Sequence, residues 1–246
     1  MRFFIILLVL VAAGCSPLYI PTTRNVPLFR EQGEFQASVI ASTGAEVQTA
    51  LAVTDNIAIM ANGSFLRQKI SEPDPYTRSH TFVEGGIGYY KANRRSRIEI
   101  FAGYGLGKGT SYAQYYFFSQ RFGAKDLVAT GSYSRIFIQP SFGQNNRRFN
   151  LAFTPRISLV GFSEFSSSDN GRFPTQTVNV GELNEKPRLF IEPALTGKFP
   201  LVGNLQGMFQ LGLNVKASPD LYFDYVPLQF ALGIQLNTGS LRTRVY

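Results

Sequence analysis

Few residues of this chain could do chemistry. Cys15 is the only cysteine and His80 the only histidine among 246 residues. A metal cluster of Cys and His is therefore impossible, and no internal disulfide can form. A Ser-His-Asp triad would rest on His80 alone, which lies beside a polar loop and is expected to be exposed. The glycines of Gly103-Tyr104-Gly105-Leu106-Gly107 lack the strand–turn–helix setting of a dinucleotide loop. Asn62-Gly63-Ser64 fits a glycosylation acceptor but lies inside a strand pattern. What remains is a set of charges at alternating positions. Glu84, Arg135, Arg156 and Glu192 lie at similar counts from chain reversals, with Glu99 and Arg188 at other heights. Such groups could supply a general acid and base, or a constriction that selects ions. Confined together, opposite charges pair through Arg–carboxylate bonds, and that structural pairing is the expectation here.

The elements that position these charges begin with a leader. Met1 and Arg2 are followed by residues 3–11 without a polar side chain, then by Ala12-Ala13-Gly14-Cys15. A charged start, a short apolar core and a small-residue exit mark a secretory signal peptide. The run is too short for the ~20 residues of a membrane-spanning helix. Its end resembles the lipobox of bacterial lipoproteins, and the resemblance implies that Cys15 is acylated and becomes the first mature residue. Residues 1–14 are then the leader. Residues 15–32, with Pro17, Pro21 and Pro27, read as an extended lipidated tether. Residues 33–246 form one β-barrel domain.

From Gly33 onward the alternation has period two, and no stretch shows the i, i+3, i+4 pattern over three turns. About ten strands are predicted, over residues 34–42, 45–54, 57–67, 80–91, 97–118, 128–142, 148–165, 187–199, 205–216 and 222–236. Every second connection is short, whereas the long loops (68–79, 119–125, 166–185 and 217–221) all fall in the other set. This is the pattern of an all-β, antiparallel up-and-down barrel with short turns at the periplasmic end and longer loops at the outer end. The first strand starts at the short-turn end, the side on which an inner-leaflet anchor would hold it.

One face of each later strand is apolar, as in Leu228, Phe230, Leu232, Ile234 and Leu236. The other carries Gly, Ala, Ser, Asn and Gln with hardly any Lys, which suits a crowded lumen better than a soluble surface. Tyr115, Tyr116, Phe117, Phe118, Phe162, Phe165, Tyr222, Phe223 and Tyr225 gather at the loop ends as an expected interfacial girdle. Phe101, Phe137, Phe190 and Met208 add bulk to the inward face. The lumen is thus expected to be largely closed, against a small pore left by gaps at Gly86, Gly88, Gly103 and Gly233.

The mature chain resembles a lipid-anchored outer-membrane β-barrel protein of Gram-negative bacteria. The resemblance implies location in the cell outer membrane and a non-catalytic scaffold that presents surface loops, with no cofactor and no metal. The net charge of +8 suits phosphate on outer-membrane lipid and lipopolysaccharide rather than nucleic acid. An external protein or glycan is the partner expected for the loops. The alternative is a lipid-tethered periplasmic barrel of lipocalin type, with the apolar face inward around an apolar ligand. Outer-membrane barrels end on an aromatic residue, and Tyr246 fits if residues 241–246 add a short final strand.

Overall fold

Each strand of an alternating chain exposes a row of N–H and C=O groups on both edges, and only closure of the sheet satisfies them all. The chain closes. A computed structural model describes residues 19–70, 76–113, 127–144, 148–167, 186–217 and 226–239. Its strands are β1 (Phe35–Ala41), β2 (Ala45–Ala52), β3 (Ile57–Ile70), β4 (Tyr76–Ala92), β5 (Ser96–Ala113) and β6 (Leu127–Gln144). β7 (Asn150–Ser167), β8 (Arg188–Pro200), β9 (Leu205–Leu213), β10 (Val215–Lys216) and β11 (Leu228–Thr238) complete it.

Neighbours in sequence pair antiparallel, β9 pairs with both β8 and β11, and β11 returns to β1. β9 and β10 are one stave interrupted at Asn214, and both halves pair with β8. The interruption faces the part of β8 that holds Pro193, which has no N–H to give the ladder. The result is a closed antiparallel barrel of ten staves. The strands fall where the alternation puts them, with ends moved by a few residues. β3 and β4 run on to pair Ile70 with Tyr76, so the loop expected over 68–79 is much shorter.

The barrel is inside out relative to a soluble protein. Outward side chains are apolar and open to the surroundings, among them Ile87, Leu106, Ile136, Phe230 and Leu232. Inward ones are buried and mostly polar, including Gln48, Gln139, Arg156, Thr196 and Gln229. The lipocalin-like alternative needs the opposite arrangement and is excluded. Ile57, Ile59 and Phe65 on β3, and Ile98, Ile100 and Leu106 on β5, mark a belt about nine residues deep, enough to cross ~25 Å on tilted strands. Exposed Arg67 and Lys108 bound the belt at the long-loop end, and exposed Lys91 bounds it at the short-turn end.

Two expectations need correction. Phe162 is not part of an outward girdle; it is buried inside the mouth with Tyr19, Tyr133 and Phe190. The side chains of the other eight girdle aromatics lie outside the described residues. Of the exposed aromatics, Tyr89, Phe142, Phe149, Phe153 and Phe199 lie toward the short turns, and Phe65, Tyr104 and Phe230 lie nearer the long-loop end. His80 is not exposed either: it is 1% accessible and its Nε2 bonds to the Tyr133 hydroxyl.

The lumen does not keep its gaps. A Cβ on Gly103 would lie 2.5 Å from the Phe137 ring, and one on Gly88 2.5 Å from that of Phe101. The rings occupy the space the missing side chains leave. Gly86 is filled in the same way by Met60, and Gly233 by Ile40 and Met208.

Candidate functional site

The main occupant of the lumen is the chain's own amino-terminal segment. Residues 19–29, read from sequence as part of a tether, are all buried and run lengthwise through the barrel. Along β6, Leu28 lies against Gly143, the Asn25 carbonyl takes a bond from Gln139, Thr22 Oγ1 accepts one from Arg135, and Tyr19 packs edge-on to Tyr133. The segment therefore descends parallel to β6, from the long-loop mouth at Tyr19 to the short-turn end at Leu28. It then reverses through Gly33 (φ 85°) into β1.

An extended strand without a sheet partner leaves its backbone polar groups to be satisfied by side chains. Here every carbonyl from Pro21 to Leu28 accepts a hydrogen bond from the barrel wall. Glutamine amides reach Pro21 (Gln229, 2.8 Å), Thr23 (Gln48, 2.9 Å), Arg24 (Gln210, 2.9 Å), Asn25 (Gln139, 2.7 Å) and Pro27 (Gln36, 2.8 Å). Cations reach Thr22 (Arg156, 3.0 Å), Val26 (Lys198, 2.5 Å) and Leu28 (Arg97, 2.6 Å). Gln210 is bidentate, because its Oε1 also accepts from Arg24 N at 2.7 Å. Carboxylates take two further N–H groups, Glu46 that of Thr23 and Glu99 that of Leu28. Leu28 is in the left-handed region (φ 58°), uncommon for a non-glycine residue, and Arg97 and Glu99 grip it from both sides.

Side chains of the segment join the charge network. All six charges singled out from sequence are buried. Arg135 Nη2 donates both to Glu84 and to Thr22 Oγ1 (2.7 Å), and its Nη1 donates to Tyr19 Oη (2.9 Å). Arg156 Nε donates to Glu192 at 2.6 Å, and Arg156 also lies 4.0 Å from Glu84. The Tyr19 hydroxyl donates to Glu192 at 2.9 Å and so ties the two pairs together. Asn62 bridges Glu84 to Asn25. Glu99 sits lower and serves the Leu28 turn, while Arg188 is buried at the start of β8 above Phe190. Outside the strands, Glu34 accepts from Arg30 N at 3.2 Å; burial pushes its carboxyl above the ordinary range, opposed by Arg30 and Arg97.

Arg24 belongs to the wall as much as to the segment. At the interruption between β8 and β9–β10, its Nε donates to Glu192 O (3.1 Å) and its Nη2 to Leu213 O (3.3 Å) and Asn214 Oδ1 (2.5 Å). Nη1 donates to Gln229 at 2.8 Å. The guanidinium thus bonds two main-chain carbonyls where the Pro193 stretch breaks the ladder. Sequence reasoning singled out none of Arg24, Arg97, Lys198, Glu46 or the glutamines. The available signal was the repeated Gln on the inward parity and the single charge between Tyr19 and Phe29.

Fold and site together define a class: a transmembrane β-barrel of outer-membrane type whose lumen is filled by its own amino-terminal segment. No family model matches the chain, and no curated protein matches it. Solved structures of other proteins align with it at low identity and low TM-score. The translocator domain of the autotransporter NalP from Neisseria meningitidis aligns over 82% of this chain and 86% of its own, at 10% identity and a TM-score of 0.44. The KdgM porin aligns over 84% and 99%, at 8% identity and 0.35. The CymD monoaromatic hydrocarbon channel covers 93% and 98%, at 7% and 0.33. Likenesses at this level carry no activity over to this chain.

Proposed function

We propose that the protein is a lipid-anchored outer-membrane barrel that does not conduct, and that it serves as a membrane scaffold presenting its long loops to an external protein or glycan. The observation that supports this most is the lumen: residues 19–29 fill it, and barrel side chains bond to each carbonyl from Pro21 to Leu28. A transport path would need that segment to leave, at the cost of stripping partners from many buried polar groups. The buried carboxylates are engaged by arginines, hydroxyls and backbone N–H groups, which suits structure better than acid–base catalysis. Among the described residues no three His, Cys, Asp or Glu side chains gather to hold a metal ion. The basic balance of the chain suits contact with lipid and lipopolysaccharide phosphate.

Planar-bilayer recording tests the reading. The intact protein should be silent or flicker rarely. A variant lacking residues 19–32, checked for folding by its heat-modifiable gel migration, should conduct steadily. Steady, voltage-independent conductance of porin size from the intact chain would overturn it.

A further inference from the structure

We infer that the threaded segment delivers the mature amino terminus, with the acyl chains on Cys15, to the long-loop side of the membrane rather than to the leaflet beside the short turns. The acyl chains rest on the lipoprotein reading above; the direction rests on geometry. Tyr19 lies at the long-loop mouth, packed on Tyr133 and Phe190 and bonded through its hydroxyl to Glu192 and Arg135. On β6, Tyr133 is already beyond Ile136, the exposed apolar residue nearest that rim among those whose side chains are described. Cys15 precedes Tyr19 by four residues, which span at most ~14 Å when fully extended. The apolar belt is ~25 Å tall, so that length cannot return to the short-turn leaflet. Residues 20–29 already fill the way back through the lumen.

The direction contradicts the expectation that the anchor and the start of β1 share one side. Gly33 is at the short-turn end, but the residues before it climb away from it.

Cysteine accessibility decides the matter. Pro17→Cys, Ser168→Cys in the longest loop and Val202→Cys in an exposed short turn are each treated on intact cells with a membrane-impermeant maleimide, then again after the outer membrane is opened. Pro17→Cys should label on intact cells as fully as Ser168→Cys, with Val202→Cys reacting only after opening. The inference is overturned if Pro17→Cys behaves like Val202→Cys, or if it reacts only after denaturation, which would keep the terminus inside the barrel. The wild-type chain separates the two premises. Acylated Cys15 has no thiol to label and shows the added mass of its acyl groups. If wild type labels and lacks that mass, the lipoprotein reading fails, while Pro17→Cys still reports the direction.

Discussion

Arg24 does for this barrel what no strand residue can do. It bonds carbonyls left by a break in the ladder while belonging to a segment with no place in the ladder. Arg24→Ala strands Glu192 O, Leu213 O, Asn214 Oδ1 and Gln229 Oε1, and each buried acceptor left unpaired costs ~1–3 kcal/mol. The temperature at which the barrel loses its compact gel migration should fall by many degrees. Arg24→Lys should recover only part of the loss, because an ammonium cannot fork across several acceptors at once. An unchanged melting point for Arg24→Ala would show that this contact is idle. Glu192→Leu should also be damaging, at ~3–5 kcal/mol, since it leaves Arg156 buried without its closest anion. Equilibrium unfolding of the refolded barrel would measure it.

At the scale of elements, glycine and ring positions interlock, and the interlock is testable. A Cβ on Gly105 would meet the Phe82 ring at 2.4 Å. Gly105→Ala should therefore destabilise wild type clearly and cost less in a Phe82→Ala background, where Glu84 Cβ at 2.8 Å still crowds it. A double-mutant cycle with additive effects would refute the coupling. The staves themselves were legible in the sequence. Alternation over residues such as Leu228 to Leu236 carries its own period, and turn residues at Asp55, Ala92, Gly143 and Pro200 set the reversals. The charge network was half legible: shared parity and similar height put Glu84, Arg135, Arg156 and Glu192 together, but not which carboxylate each arginine takes. The threaded segment was not. Three prolines and no periodicity read as a linker, because an extended strand satisfied by side chains has no partner in sequence to reveal it. Its composition held the one clue: residues 19–29 carry a single charge, far too few for a solvated tether.

For the whole molecule, orientation is the property that matters. Protease added to intact cells should cut within residues 166–185, where Ser166-Ser167-Ser168-Asp169-Asn170-Gly171 is polar and small. Cleavage confined to the Gly143-Gln144-Asn145-Asn146 turn would reverse the barrel. The uneven staves favour the first result. β3 to β7 rise past the belt beyond Phe65 and Leu106, whereas β1 and β2 stop at the low turn around Thr43.

The threaded segment also has a mechanical consequence. A chain that passes through a ring made by its own later residues is a lasso, and its free end here carries the bulkiest modification proposed for the molecule. Tension on that end, from a bound partner or a moving leaflet, would pull along the line of carbonyl clamps and load them in shear, all together. Hydrogen bonds loaded side by side resist far better than a row opened one at a time. The glutamine and cation clamps thus form a brake that holds the end of the rope at a fixed length, whatever tugs on it from the surface.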